Sequence, residues 1–282
     1  MRRFEVNYSI GETRFRLRGT EWGDPAAPVV ICVHGLTRNG RDFDVLAAAL
    51  ADRFRVLCPD LPGRGGSDWL PGPEFYVMPS YVAALGAVLR QAGGAAAWVG
   101  TSLGGLCGLA LAAGGAGLTR LLLNDIGPFI PAAALARIAD YMARAPAAFA
   151  DPAALEAALR VAHAPFGPLS DAQWADMARH SARPLPDGRV ALHYDPAITV
   201  QVLATPPADV DLWPLWGRVS IPRLVLRGAA SDLLAPETFA RMLAEGARGH
   251  VVAGAGHAPA LMDAPTIAVA RRFLEEGLAA GD

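Results

Sequence analysis

The run from Ala95 to Ala113 restricts the path of the chain more than any other stretch of the sequence. An apolar segment, Ala95 to Val99, leads into Gly100-Thr101-Ser102-Leu103-Gly104, and a small-residue apolar segment, Leu106 to Ala113, follows. A strand entering and a helix leaving, with only this pentapeptide between them, must bend very sharply. Glycines two residues either side of Ser102 remove the Cβ atoms that would collide in such a bend. The residue at the apex is forced into a strained backbone conformation, which lifts its hydroxyl clear of the sheet. The helix starting at Leu103 then aims its free N–H groups at any negative charge formed there. A plain Gly-Ser loop between buried elements would spell the same five letters, so the rest of the chain has to discriminate.

Other residues with chemical potential fall at equivalent places. His34-Gly35-Leu36 follows the strand-like run Val29 to Val33. His34 is read as a structural histidine that fixes its loop. Ile221 to Arg227 is a further apolar strand, followed by Gly228-Ala229-Ala230-Ser231-Asp232 and then Pro236. Val251-Val252 leads into Gly254-Ala255-Gly256-His257. Each group sits just past the C-terminal end of an expected strand, where open α/β sheets gather their sites. A hydroxyl, a carboxylate and an imidazole follow one another as Ser102, Asp232 and His257, the residue types of a nucleophile, an orienting acid and a general base.

In that order these residues resemble the α/β-hydrolase superfamily, nearest its small esterase and lactonase-like members. The resemblance spans nearly the whole chain: HGL at 34–36, DLPGRGGSD at 60–68, GTSLGG at 100–105, RGAASDLLAP at 227–236 and GAGHAP at 254–259. It implies an α/β fold with a mostly parallel central sheet, helices on both faces and a helical cap insertion. It implies an oxyanion hole made by the backbone amides of Leu36 and Leu103. The expected activity is cleavage of small carboxylic esters through an acyl-Ser102 intermediate, with His257 as base and Asp232 as the third member. Asp125 is the second candidate for the acid, because some superfamily members carry theirs after that strand. Lactones or short oligoesters of hydroxy acids are the nearest alternative substrates. Carbon–carbon hydrolysis of meta-cleavage products is another, with Arg38, Arg64 and Arg137 available for a substrate carboxylate. An inert ligand-binding module is the most distant reading. A serine nucleophile argues against haloalkane dehalogenase and epoxide hydrolase chemistry, which need an ester-forming carboxylate. No metal or organic cofactor is implied.

Composition sets outer limits. With 282 residues, 52% of them hydrophobic and 18% charged, the chain can build one sizeable core with an insertion. A formal charge of −2 offers no electrostatic case for nucleic acid or an anionic membrane. Cys32, Cys58 and Cys107 all lie in apolar runs without ligand spacing and read as reduced core residues. The uncharged stretch 92–119 is broken by Gly93-Gly94, the bend and Gly114-Gly115, which fits several short elements rather than a membrane span. The first residues carry no signal-peptide core, so the expected location is cytoplasmic; oligomeric state is not legible.

Alternation at 4–8 and 13–18 around Gly11 predicts an opening hairpin. A helix near 42–51, a strand at 55–58, a helix at about 80–91 and a strand at 120–123 complete an alternating first half. From Pro128 to Trp213 the pattern changes to helix-like pieces (132–144, 152–162, 170–180) broken by repeated prolines, with no core strand. That segment, 128–213, is the expected cap, and 1–127 with 214–282 the core. Its aromatics, with Trp216 just beyond it, are read mainly as packing, and His163, His180 and His193 as surface or packing residues.

Overall fold

The computed structural model describes residues 1–276 and 278. Eight strands form one sheet: β1 (Arg2–Ile10), β2 (Thr13–Trp22), β3 (Val29–Val33), β4 (Arg55–Pro59), β5 (Ala96–Thr101), β6 (Leu118–Asn124), β7 (Arg223–Gly228) and β8 (Arg248–Val252). Their spatial order is β1-β2-β4-β3-β5-β6-β7-β8. The β1–β2 hairpin and the β2–β4 pairing are antiparallel, and every pairing from β4 to β8 is parallel. The hairpin is longer than the alternation at 4–8 and 13–18 suggested. Pairing continues from Arg2↔Glu21 to Ile10↔Thr13, closed by Gly11 at φ +57°.

The parallel strands are apolar on both sides because helices cover both faces. On β5, Trp98 packs with Leu85 and Val88 of α2 (Met78–Gln91) and Leu109 of α3 (Leu103–Ala113). Its neighbours Ala97 and Val99 point to the opposite face. There they join Leu46 and Leu50 of α1 (Asp44–Leu50) and Phe273 near the C-terminus of the chain. Ile31 and Val33 against Val30 and Cys32 repeat this two-residue alternation on β3. The three cysteines are buried and unbridged within these layers.

Between β6 and β7 the chain leaves the sheet and forms α4 (Ala132–Arg144), α5 (Pro152–Ala162), α6 (Asp171–Ser181) and α7 (Ala197–Ala204). Asp151 accepts the Ala154 N–H at 2.8 Å and Pro152 opens α5, while a Ser170–Gln173 capping box starts α6. The helix α7 has no counterpart in the sequence pattern, since Ile198, Thr199, Val200 and Val202 favour strands; Asp195 starts it by accepting the Ala197 N–H at 2.9 Å. Two short antiparallel pairings also lie in this region. One joins 182–184 to 190–192, and the other joins Phe129-Ile130 to Val210-Asp211 at the neck of the excursion. The chain returns through α8 (Trp213–Trp216), and the core ends with α9 (Pro236–Ala244) and α10 (Ala264–Glu275). Among the described residues no helix is long and apolar enough to cross a membrane.

With this strand order, the C-terminal ends of β3, β5, β6, β7 and β8 share one edge. His34, Ser102, Asp125, the 228–232 loop and His257 therefore converge there.

Candidate active site

Ser102 adopts φ 50° and ψ −116°, a conformation that a non-glycine residue rarely takes. The surroundings impose it. A Cβ on Gly100 would lie 2.4 Å from the Gly104 carbonyl oxygen, and one on Gly104 would lie 2.0 Å from that of Val33. Strand and helix thus approach each other at a distance only glycine permits. The Ser102 Oγ lies 3.0 Å from His257 Nε2.

The carboxylate on the other side of the imidazole is Asp125, not Asp232. His257 Nδ1 lies 2.8 Å from Asp125 Oδ2, and Asp125 is fully buried. Its carboxylate also accepts the Ser231 hydroxyl at 2.6 Å and the Gly228 N–H at 2.8 Å. Asp232 instead points outward, half exposed, and pairs with Arg137 of α4, whose Nη2 donates to Asp232 Oδ1 at 3.0 Å. The carboxylate beside His257 is thus the second candidate, after β6, while the 228–232 loop that carries the first candidate, Asp232, supplies donors to it. Arg227 folds this loop by donating to the carbonyls of Leu234 at 2.8 Å and Ser231 at 3.2 Å. The RGAAS run thus aims one hydroxyl and one N–H at Asp125. Those two donors are the functional groups that spacing did not reveal.

The loop after β3 is fixed from behind. His34 is buried, and burial pushes its imidazole down to about 3, so the ring is neutral. Its Nε2 accepts the Leu61 N–H at 2.9 Å, which leaves Nδ1 to donate to the Gly35 carbonyl at 2.7 Å. In a trans peptide the N–H points opposite to the C=O. The Leu36 N–H is therefore turned away from the His34 ring, and it has no backbone partner among the described residues. Arg64 holds the next peptide by donating to the Leu36 carbonyl at 2.9 Å. Leu103, the first residue of α3, has an N–H that the helix leaves free. His34 thus occupies the loop-fixing position read from the sequence.

Ser102 and His257 open into a cavity beneath α4 and the 162–166 segment, walled by Leu36, Ile138, Tyr141 and Phe166. An apolar arm extends past Leu103 and Leu106 to Ile126, Ile130 and Leu233. A second arm runs between α4 and α5, past Arg38, Tyr141 and His163 towards Phe149. Of the aromatics expected in the cap, Phe166 and Phe149 reach these spaces, whereas Trp174 and Trp216 are buried in packing. Of the two readings, surface or packing, His163 takes the second: it is buried, stacks on Phe166 and borders the cavity. Arg38 chelates Asp42 through Nε at 2.9 Å and Nη2 at 2.6 Å, and Arg64 is enclosed between the Pro62 carbonyl and Tyr81. With Arg137 on Asp232, all three arginines are already engaged. Asp44, Asp176 and His180 come close enough together to hold a cation, but Arg41 pairs with Asp44 and lies 3.4 Å from His180 Nδ1.

A model of the alpha/beta hydrolase family matches residues 30–272. The chain is 40% identical over 273 residues to the 3-hydroxybutyrate-oligomer hydrolase of Cupriavidus necator, covering 92% of each chain. Among solved structures, a putative hydrolase from Rickettsia typhi aligns with TM-score 0.90 at 30% identity, covering 98% of this chain and 99% of that one. An alpha/beta hydrolase from Novosphingobium aromaticivorans aligns with TM-score 0.84 at 35% identity, covering 97% and 98%.

Proposed function

The chain belongs to the alpha/beta hydrolase family, and from that premise we propose that it is a serine carboxylic ester hydrolase acting on short oligoesters of 3-hydroxy acids. The observation that carries the reading is the unbroken hydrogen-bonded series Ser102–His257–Asp125 at the floor of a cavity. The relative that acts on 3-hydroxybutyrate oligomers narrows the substrate from esters in general to this class.

In this mechanism His257 Nε2 takes the proton from Ser102 Oγ as the oxygen attacks the ester carbonyl carbon. Asp125 holds the proton on Nδ1, which keeps Nε2 free to accept, and it stabilises the imidazolium that forms. The negative charge moves to the carbonyl oxygen, where the N–H groups of Leu36 and Leu103 are the proposed donors. Each such donor contributes about 3–4 kcal/mol in comparable sites. Collapse breaks the bond to the leaving alcohol oxygen, which takes the proton from His257. Water then repeats the sequence on the acyl-serine and releases the acid.

The engagement of Arg38, Arg64 and Arg137 with protein partners gives no support to the carbon–carbon hydrolase alternative, which needs a cation for the substrate carboxylate. The test is turnover of 3-hydroxybutyrate dimer to tetramer beside fluorophosphonate labelling, for the natural protein and Ser102→Ala. The expected result is hydrolysis and labelling by the first and neither by the second. A natural protein that resists labelling and leaves the oligomers intact would refute the proposal.

A further inference from the structure

We infer that His163 sets substrate specificity by hydrogen-bonding an oxygen of the 3-hydroxyacyl unit next to the scissile ester. The inference rests on the ester-hydrolase reading above and names the group within the cavity that recognises the substrate.

His163 closes the C-terminus of α5 and is only 9% exposed. Its ring stacks on Phe166, with centroids 4.5 Å apart and planes 26° apart, and makes no side-chain hydrogen bond to the described residues. A buried polar ring ordinarily finds a partner, because leaving it without one costs free energy. This ring instead borders both the Ser102 cavity and the arm between α4 and α5. Neither ring nitrogen is a fully enclosed atom without a partner, so the ring keeps an accessible polar edge beside these spaces.

The ring is also held in register with the reacting atoms. The Pro165 carbonyl accepts the Gly256 N–H at 2.7 Å, and the Phe166 carbonyl accepts the Ala260 N–H at 3.1 Å. These two bonds bracket His257, so the His163 segment and the catalytic imidazole are stitched together. Burial, with Arg38 nearby, holds His163 well below the ordinary imidazole range. A neutral ring has one donor and one acceptor nitrogen, which suits a hydroxyl or ester oxygen. The Arg38 charge is already matched by Asp42, which leaves the His163 imidazole as a polar group on this wall with no side-chain hydrogen bond among the described residues. A plain acyl chain filling the cavity would strand those ring atoms without water, whereas a hydroxyacyl chain satisfies them. Sites of this kind discriminate strongly against the analogue that lacks the polar group.

The test compares three esters: ethyl butyrate, ethyl 3-hydroxybutyrate (oxygen on the acyl side) and the butyryl ester of 3-hydroxybutyrate (oxygens on the alcohol side). Of the two oxygen-bearing esters, the natural protein is expected to favour one over ethyl butyrate by about tenfold in kcat/KM. His163→Leu should bring that ratio close to one, and His163→Gln should retain part of it. Which ester loses its advantage assigns the side. Unchanged ratios in both variants would overturn the inference. Binding of the 3-hydroxybutyrate dimer to Ser102→Ala, with and without His163→Leu, reads the contact without turnover. A Kd weakened about fivefold or more upholds it and an equal Kd overturns it, even if the natural protein proves not to hydrolyse these esters.

Discussion

Replacing Asp125 by Asn should cost about 10⁴-fold in kcat, whereas Asp232→Asn should leave kcat within about threefold of the natural value. The carboxylate of Asp125 faces three donors: His257 Nδ1–H and the Ser231 hydroxyl on one oxygen, and the Gly228 N–H on the other. An amide has only one acceptor atom. If its oxygen stays on Gly228, its NH₂ faces His257 Nδ1, which must then accept. The ring proton moves to Nε2, opposite Ser102, and the base can no longer take the serine proton. If the amide flips, two N–H groups confront each other at Gly228, and an unsatisfied buried donor costs about 1–3 kcal/mol. In either arrangement the negative charge that steadies the imidazolium is gone, and 10⁴-fold corresponds to about 5 kcal/mol of barrier. Asp232, half exposed and paired with Arg137, gives up no more than a surface ion pair, about 1 kcal/mol or less. The assay is initial-rate hydrolysis of a soluble ester by both variants, with thermal unfolding to confirm that each is folded. A folded Asp125→Asn within tenfold of the natural rate, or an Asp232→Asn loss as large as that of Asp125→Asn, would refute the assignment.

Ser102→Ala should remove at least about 10⁴-fold of kcat with little change in Tm, since the hydroxyl borders the cavity and its side-chain hydrogen bond among the described residues is to the imidazole; residual turnover near the natural rate would show another nucleophile. For His34, the unfolded chain takes up a proton near pH 6.5 that the folded ring refuses until about pH 3. Stability from this group is therefore present above pH 6.5 and is lost as pH falls towards 3, about 5 kcal/mol over the whole window. Urea unfolding at pH 7, 5.5 and 4.5 should show the gap between the natural protein and His34→Gln narrowing with acid; a constant gap would contradict this. Gly104→Ala forces a methyl group onto the Val33 carbonyl. It should cost about 3 kcal/mol or more, lowering Tm by about 6 °C or more, with loss of labelling at Ser102.

The parts of the fold legible in the sequence are those where one local constraint suffices. The apolar run into Gly100, the small residues after Gly104 and the proline-broken helices of 132–181 each specify an element without help from elsewhere. Which carboxylate meets His257 was not legible, because Asp125 and Asp232 both follow strand ends by a few residues. What separates them is tertiary. β6 is hydrogen-bonded directly to β5, which carries Ser102, while the β7 loop turns its Ser231 and Gly228 inward and leaves Asp232 pointing at the cap. His163 was missed for a similar reason: whether a lone histidine packs or faces a cavity depends on chain brought over it from α4 and the His257 loop. The helix α7 escaped because its β-branched residues argue for strand, and only the Asp195 cap and its packing override them.

The neck of the excursion has a consequence for how such proteins diversify. Phe129-Ile130 pairs with Val210-Asp211, and the Leu212 N–H donates to the Pro128 carbonyl at 2.7 Å. The departing and returning chains are thus already joined before the sheet is reached, and no sheet strand has to shift to accept a different insert between them. An insert of different shape would re-wall the cavity between the same strand ends, provided that it keeps carbonyls where those of Pro165 and Phe166 brace the His257 loop.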